Sequence, residues 1–448
     1  MEDELLMKAI TFLSHTDSTN WPVDEDVLFK IYGWFNSELG LVPDLIFATY
    51  NYVRDAHQVN YQIKEFKDID KTKPWFIYVY SNFQYRLNFS NGDADNKQLF
   101  QGFPDEIIHE LAYGNAHLIL SCENEAITTN YFNLFYKLYR NNPVVPYNKI
   151  IHLTAAHNIH DTYKNYCDTY NIPDSEKITM WYTHHGWLPW IKTYIDIYTK
   201  AESAGPRVKK FISLNRATRS HRVTFVSLLA EYDLLKHGYV SLGIQDDTGW
   251  PCKNNLLRYI ENHLVEWYGW ESNSKVYKDA VNGSKKLLEK LPLTVDTDDL
   301  VFNWVGYEVH PISFAQRSYF SVVTGTNCFK RDEQGVTVNE KEFKSILCKH
   351  PFLLVTRPHT LKQLRAIGFK TFGQWFDESY DDEEDDAQRL LKLIEELKRL
   401  CNISNEDWDK MLEEMKSVTE HNFNWLVNHR EEMSFNCTDL TNILKYAV

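Results

Sequence analysis

Three arginines, Arg216, Arg219 and Arg222, fall within seven residues of one another, with His221 beside the last. A guanidinium is planar and carries a fork of N–H donors that can grip two oxygens of one phosphate. The run Phe211, Ile212, Leu214 just before them reads as a short buried strand that breaks at Asn215. After them Val223, Phe225, Val226, Leu228 and Leu229 recur at helical spacing, and a second apolar run covers 239–242. A strand leading through a basic turn into a helix sets cations and free backbone N–H groups at the carboxyl end of a sheet, where α/β proteins bind phosphates. The competing reading is a solvated basic turn ahead of an amphipathic helix, although three arginines there exceed what solubility requires.

The elements that must position such a turn alternate along the chain. Strands are expected at 74–80, 116–121, 149–154 and 178–182, with helices at 104–112, 131–139 and 160–170 between them. The helix at 104–112 opens with Pro104, Asp105 and Glu106, which suits the helix dipole. A stretch rich in Ala, Ser, Gly, Pro and charge at 199–209 marks a boundary. Alternation then resumes, with strands at 211–214, 239–242, 299–304, 319–323 and 351–356. Helices are expected at 221–231, 254–268, 275–290, 340–348 and 361–367, and a helical tail from 387. The pattern predicts an α/β protein of two Rossmann-like, doubly wound domains, 1–200 and 209–400, facing a cleft, with a helical C-terminal tail at 401–448.

At 448 residues the chain exceeds one ordinary core. Its 27 Tyr, 25 Phe and 13 Trp could stack sugars or bases, or fill cores. A net charge of −14 disfavours non-specific binding to nucleic acid or anionic membrane over the whole surface. Much of the excess sits in residues 381–386, DDEEDD, expected as a solvated loop or helix start. Seven scattered cysteines without a C-x-x-C pair point to free thiols in a reducing compartment. An acidic N-terminus and no long uncharged apolar run predict a cytoplasmic protein with no signal peptide or membrane span. The Walker, dinucleotide and Gly-x-Ser-x-Gly signatures are absent, which removes the main support for ATP-driven, NAD-dependent and serine-hydrolase chemistry.

A second segment completes a pattern. The aromatic strand Tyr319-Phe320-Ser321-Val322-Val323 is followed by a loop, then Asn339-Glu340-Lys341 at a helix start and Pro351-Phe352-Leu353 in an apolar strand. With Leu214-Asn215-Arg216, Arg219 and Arg222, residues 209–400 resemble GT-B type, fucosyltransferase-like nucleotide-sugar glycosyltransferases, and more closely a set of glycosyltransferases of tailed bacteriophages. The resemblance implies a GT-B-like fold and transfer of a sugar from a nucleotide-sugar donor, which is a substrate and not a resident cofactor. By it Asn215, Arg216, Arg219 and Arg222 meet the donor pyrophosphate, Glu340 the ribose and Lys341 a phosphate. The chain departs from the family in having Thr324-Gly325-Thr326 where an acid follows the aromatic strand, and Asn339 in place of Thr. Physically, a departing diphosphate gathers negative charge that fixed cations stabilise without a metal.

An inverting, metal-independent transfer needs a general base for the acceptor hydroxyl. Glu125 and Glu123, just past the strand at 116–121, are the expected bases, with Asp161, His184 and His185 as rivals. His152, His157 and His160 lack the spacing and acid partner of a metal site, so no metal is expected. Asp-x-Asp occurs at 68–70, 93–95 and 296–298 without a convincing strand ahead of it. The acceptor stays open between a glycan and a modified base of the hydroxymethylcytosine type in phage DNA. DNA would require a basic groove, for which Lys209, Lys210, Arg216, Lys285 and Lys286 are candidates. A non-enzymatic reading also stands, in which Gly325 marks a degenerate transferase fold kept as a structural or interaction module.

Overall fold

The computed structural model describes residues 10–13, 61–64, 70–72, 75–80, 105–122, 129–140, 143–154, 156, 158–182, 195, 198, 205–244, 251–295, 312–329 and 336–429. The chain divides into two compact units, Met1–Pro189 with Asp332–Thr337 and Arg430–Val448, and Trp190–Arg331 with Val338–His429.

The first unit carries β1 (Ile10–Leu13), β2 (Tyr61–Lys64), β3 (Trp75–Tyr80), β4 (Ala116–Cys122), β5 (Ile150–Thr154) and β6 (Thr179–Tyr182). They form one parallel sheet in the order β2-β1-β3-β4-β5-β6. Parallel neighbours need crossovers. Helices α1 (Asp105–Tyr113), α2 (Thr129–Arg140) and α3 (Ile159–Tyr170) supply them from β3 onward. The sequence reading found β3 to β6 and missed β1 and β2, which have four residues each. The core is aromatic: Phe132, Phe135, Tyr136 and Tyr139 of α2 pack with Leu118, Ile150 and Tyr163. Its phenol tips are paired, since the Tyr136 and Tyr163 hydroxyls lie 2.6 Å apart and Tyr163 Oη accepts the Ile178 N–H at 2.9 Å. This part of the aromatic complement therefore fills a core.

The second unit carries β7 (Lys209–Asn215), β8 (Gly238–Leu242), β9 (Ser318–Thr324) and β10 (Phe352–Val355). They pair in parallel in the order β10-β9-β7-β8. All seven residues of β9 are buried, as expected of a central strand covered on both faces. From β7 the chain crosses to β8 on one side, and β9 then pairs with the other side of β7. The order thus reverses between β7 and β9, and the crevice beyond their carboxyl ends is where such sheets take ligands. Around the sheet lie α4 (Ser220–Glu231), α5 (Leu256–Glu261, continued by a π-helix at Asn262–Trp267), α6 (Lys275–Leu288) and α7 (Ile312–Gln316). They are joined by α8 (Glu340–Leu347), α9 (Thr360–Ala366), α10 (Asp386–Asn402) and α11 (Asn405–His429). The strand expected at 299–304 lies outside the described residues.

Helix α11 packs as part of this unit. Trp408 is fully buried with its ring stacked 5.1 Å from Phe320, and Trp425 Nε1 donates to the Ile367 carbonyl at 2.8 Å. The acidic run is a helix start, with Asp385 accepting the Gln388 N–H at 2.7 Å, but it is not wholly solvated. The buried Asp381 carboxylate accepts the Leu361 and Lys362 N–H groups at 3.0 and 3.1 Å. Asp386 pairs with Arg389, a fully buried residue whose guanidinium reaches the Thr356 and Cys328 carbonyls. Burial selects these two acids because each has donors waiting inside. Cys167, Cys252, Cys328, Cys348 and Cys401 carry free thiols. Among the described residues no helix is long and apolar enough to cross a membrane.

Candidate functional site

The turn between β7 and α4 meets the turn after β9. Asn215 closes β7 with its side chain inside: Nδ2 donates to the Ser213 carbonyl at 3.3 Å, and Oδ1 accepts from Thr324 Oγ1 at 2.7 Å. This amide pins together the ends of β7 and β9. Arg222, in the first turn of α4, is also buried, at 4% exposure. Its Nη1 donates to the Ala217 carbonyl at 3.2 Å, and its Nη2 to the carbonyls of Gly325 at 2.9 Å and Thr324 at 3.4 Å. Asn215 and Arg222 therefore shape the two turns. Arg222 was expected as a phosphate ligand; its fork is engaged by backbone.

Arg219 and Lys341 come together. Arg219 Nη1 donates to the Thr326 carbonyl at 2.6 Å and lies 3.4 Å from Asn327 Oδ1. Lys341 Nζ lies 3.5 Å from Thr326 Oγ1, which also accepts from Asn339 Nδ2 at 3.2 Å. One threonine thus has a guanidinium on its carbonyl and an ammonium on its hydroxyl, at the reversal point of the sheet. Arg216 is exposed on the same turn as Arg219. Glu340 is the first residue of α8.

Helix α8 is set by a capping box that the sequence reading did not name. The Asn339 side chain accepts the Lys341 N–H at 3.1 Å, and buried Glu342 accepts the Asn339 N–H at 2.9 Å. The Asn-x-x-Glu spacing was the available signal. Gly325 is a packing glycine: a Cβ there would meet Thr356 Cγ2 at 2.6 Å and Glu342 Oε1 at 3.4 Å. A side chain at this position would have to displace Thr356.

The charge of the site is visible in His221. Its Nε2 lies 3.0 Å from the Gly325 carbonyl. Burial, with Arg222 next and Arg219 and Lys341 adding, holds its imidazole neutral far below the ordinary histidine range. Three cationic side chains, Arg219, Arg222 and Lys341, around Thr324 to Thr326 make a positive turn that suits an anion.

The expected bases Glu123 and Glu125, and the rivals His184 and His185, lie outside the described residues. Asp161 is exposed in the first turn of α3. His152 is buried with its Nδ1 2.7 Å from the Tyr131 hydroxyl, whereas His160 is exposed. Among the described residues no three His, Cys, Asp or Glu side chains are placed to hold a metal ion. Of the candidates for a basic groove, Arg216 stands apart from the lysines that open β7. Lys209 and Lys210 open β7 and Arg216 follows its end, on the order of 20 Å away at ~3.3 Å per residue. Lys209 Nζ donates to the Lys236 carbonyl, Lys210 Nζ to the Ile403 carbonyl, and Lys286 pairs with Glu231.

No family model matches the chain. No curated protein matches it. Among solved structures it is similar to the trehalose-6-phosphate synthase of Burkholderia multivorans, at 10% identity and TM-score 0.43, covering 96% of this chain and 82% of that one. It is similar to the UDP-forming trehalose-phosphate synthase of Burkholderia vietnamiensis at 11% identity and TM-score 0.43, covering 96% and 84%. The N-terminal domain of the Candida albicans trehalose-6-phosphate phosphatase gives 9% identity and TM-score 0.41, covering 96% and 80%. Likeness of this degree assigns the chain neither an activity nor a substrate.

Proposed function

We propose that the chain is a nucleotide-sugar-dependent glycosyltransferase whose second unit holds the donor diphosphate at the carboxyl ends of β7 and β9. The observation that carries this reading is the meeting of Arg219 and Lys341 on Thr326, at the point where the strand order reverses. Arg219 and Lys341 contact the diphosphate, and the exposed Arg216 adds a third cation from the same turn. Asn215 and Arg222 hold the turns in place. Glu340 takes the ribose hydroxyls, as the family resemblance implies. In the reaction the acceptor oxygen attacks the anomeric carbon, and the bond from that carbon to the diphosphate oxygen breaks. The diphosphate leaves with its electron pair onto the cations, and the acceptor proton passes to Glu125, or to Glu123 beside it. No metal enters this scheme. The acceptor is a glycan or small-molecule hydroxyl, or a modified base of the hydroxymethylcytosine type in DNA, and the net charge of −14 favours the former.

A second reading, a transferase fold without activity, is favoured by Gly325, where Thr356 and Glu342 fill the space of a side chain. One experiment separates the two. Thermal shift and calorimetry against UDP, GDP, ADP and CDP, then against the matching sugar nucleotides, should reveal one preferred base with micromolar to millimolar binding. Slow hydrolysis of the matching sugar nucleotide should accompany it. Binding without hydrolysis or transfer favours the inactive fold, and no binding of any diphosphate overturns the donor assignment.

A further inference from the structure

The turn that carries Arg216 and Arg219 is braced from two sides. Thr324 and Thr326 hold it on the β9 side. The other brace is the carboxyl end of β8, which pairs with β7 on the side away from β9. Ser241 Oγ accepts the Asn215 N–H at 3.2 Å, and the Gly243 N–H donates to the Asn215 carbonyl at 2.9 Å. Gly243 then lies directly against the next peptide. A Cβ on it would fall 1.9 Å from the Arg216 carbonyl oxygen, 2.9 Å from the carbonyl carbon and 3.3 Å from Cα. All three are backbone atoms, so no side-chain rotation relieves the clash. Gly243 is not in the left-handed region, so its own backbone would admit a side chain. Glycine at this exposed position is therefore required by the close approach of a neighbour and not by its own conformation.

Which side would yield to a side chain follows from what anchors each. Gly243 is flanked by Leu242 and Ile244, both buried, and the Leu242 N–H donates to the Leu293 carbonyl at 2.9 Å. Arg216 and Ala217 are exposed. An added carbon must gain on the order of 1.5 Å to reach ordinary contact near ~3.5 Å, and the displacement falls on the Arg216 peptide. We propose that Gly243 is a positioning residue for the donor diphosphate. Its missing side chain lets the end of β8 seat the Arg216 peptide, and so aims the Arg216 guanidinium at the phosphates. The inference rests on the diphosphate reading above and extends the donor machinery to a third strand end. Arg219 stays tied to the Thr326 carbonyl, so the effect is specific to Arg216.

The test titrates the full chain by calorimetry with whichever of UDP, GDP, ADP and CDP wild type binds best. It compares wild type, Gly243→Ala, Arg216→Ala and the double variant. Losing one charge-assisted hydrogen bond predicts roughly tenfold weaker binding for Gly243→Ala and for Arg216→Ala alike. The double variant should bind no more weakly than Arg216→Ala, because the two changes remove the same contact. Gly243→Ala should melt within a few degrees of wild type, since the peptide it displaces is exposed. Unchanged affinity in Gly243→Ala, or a loss that persists undiminished in the Arg216→Ala background, overturns the positioning role and leaves the diphosphate site standing. A Gly243→Ala chain that fails to fold overturns it too, since the residue would then serve stability alone. Wild type that binds none of the four diphosphates takes down the donor assignment and this inference with it.

Discussion

Among the basic residues of the β7–α4 turn, placement divides the work. Arg219 reaches across to the Thr326 carbonyl from a half-buried position, and Arg222 lies inside against three carbonyls. Truncating Arg222 removes a donor from the buried carbonyls of Thr324 and Gly325, the second of which keeps His221, at about 1–3 kcal/mol for an acceptor left unsatisfied. Arg222→Ala is therefore expected to lose about 1–3 kcal/mol of stability in denaturant unfolding, and Arg222→Lys to recover little, because an ammonium lacks the fork. Arg219→Ala and Lys341→Ala should instead weaken diphosphate binding at least tenfold with melting temperatures little changed. The roles are misassigned if Arg219→Ala unfolds as readily as Arg222→Ala. The sequence places all three arginines at a strand end but does not separate ligand from scaffold. That separation depends on the Thr324 and Gly325 carbonyls at the end of β9, which engage Arg222 and lie far along the chain. Lys341 was legible only through resemblance, since an Asn-Glu-Lys helix start by itself is ordinary.

Helix α4 is buried almost all round, from Ser220 to Ala230, so its position fixes the Arg219 turn. Helix α6 approaches it closely: a Cβ on Gly283 would lie 1.9 Å from the Ser227 carbonyl of α4. Glycine to alanine inside a helix ordinarily stabilises by about 0.5–1 kcal/mol. Here the sign reverses, because backbone has to move. Gly283→Ala is expected to lower the melting temperature by several degrees and to weaken diphosphate binding through displacement of α4. A neutral or stabilising effect in a thermal melt would mean that the two helices are not in backbone contact. Apolar spacing made both helices legible, yet said nothing of Gly283, since a contact of this kind is a property of two segments at once. The π-helix hid for a related reason: within the run expected at 254–268, period alone does not distinguish i→i+4 from i→i+5 bonding. In the acidic run, charge density suggested solvent, and the partners that bury Asp381 and Asp386 come from α9 and α10.

Across the molecule, each unit keeps histidines neutral in its interior. In the first, burial pushes His117 down to about 4 and His152 to about 3. In the second, burial pushes His350 down to about 4, with its Nδ1 2.8 Å from Ser321 Oγ, and His221 lies well below its ordinary range. A folded-state value below the unfolded ~6.5 means the unfolded chain binds protons first as pH falls. The stabilising contribution of these histidines is therefore complete above about 6.5 and declines progressively toward about 4. Glu378 and Asp381 run the opposite way, because burial raises both, so they offset part of the loss where they titrate. Four histidines against two carboxyls should leave the histidine direction dominant, by several kcal/mol over the window. Denaturant unfolding at pH 7.5, 6.5, 5.5 and 4.5 should accordingly give little change over the first step and a steepening fall over the next two. Because two of the four sit in each unit, any separate transitions should both move toward lower denaturant. Stability that stays level down to pH 4.5, or rises, would mean that these imidazoles take up protons in the folded chain as readily as in the unfolded one. The positive rim around Gly325 would then have to tolerate a charged His221 in its midst.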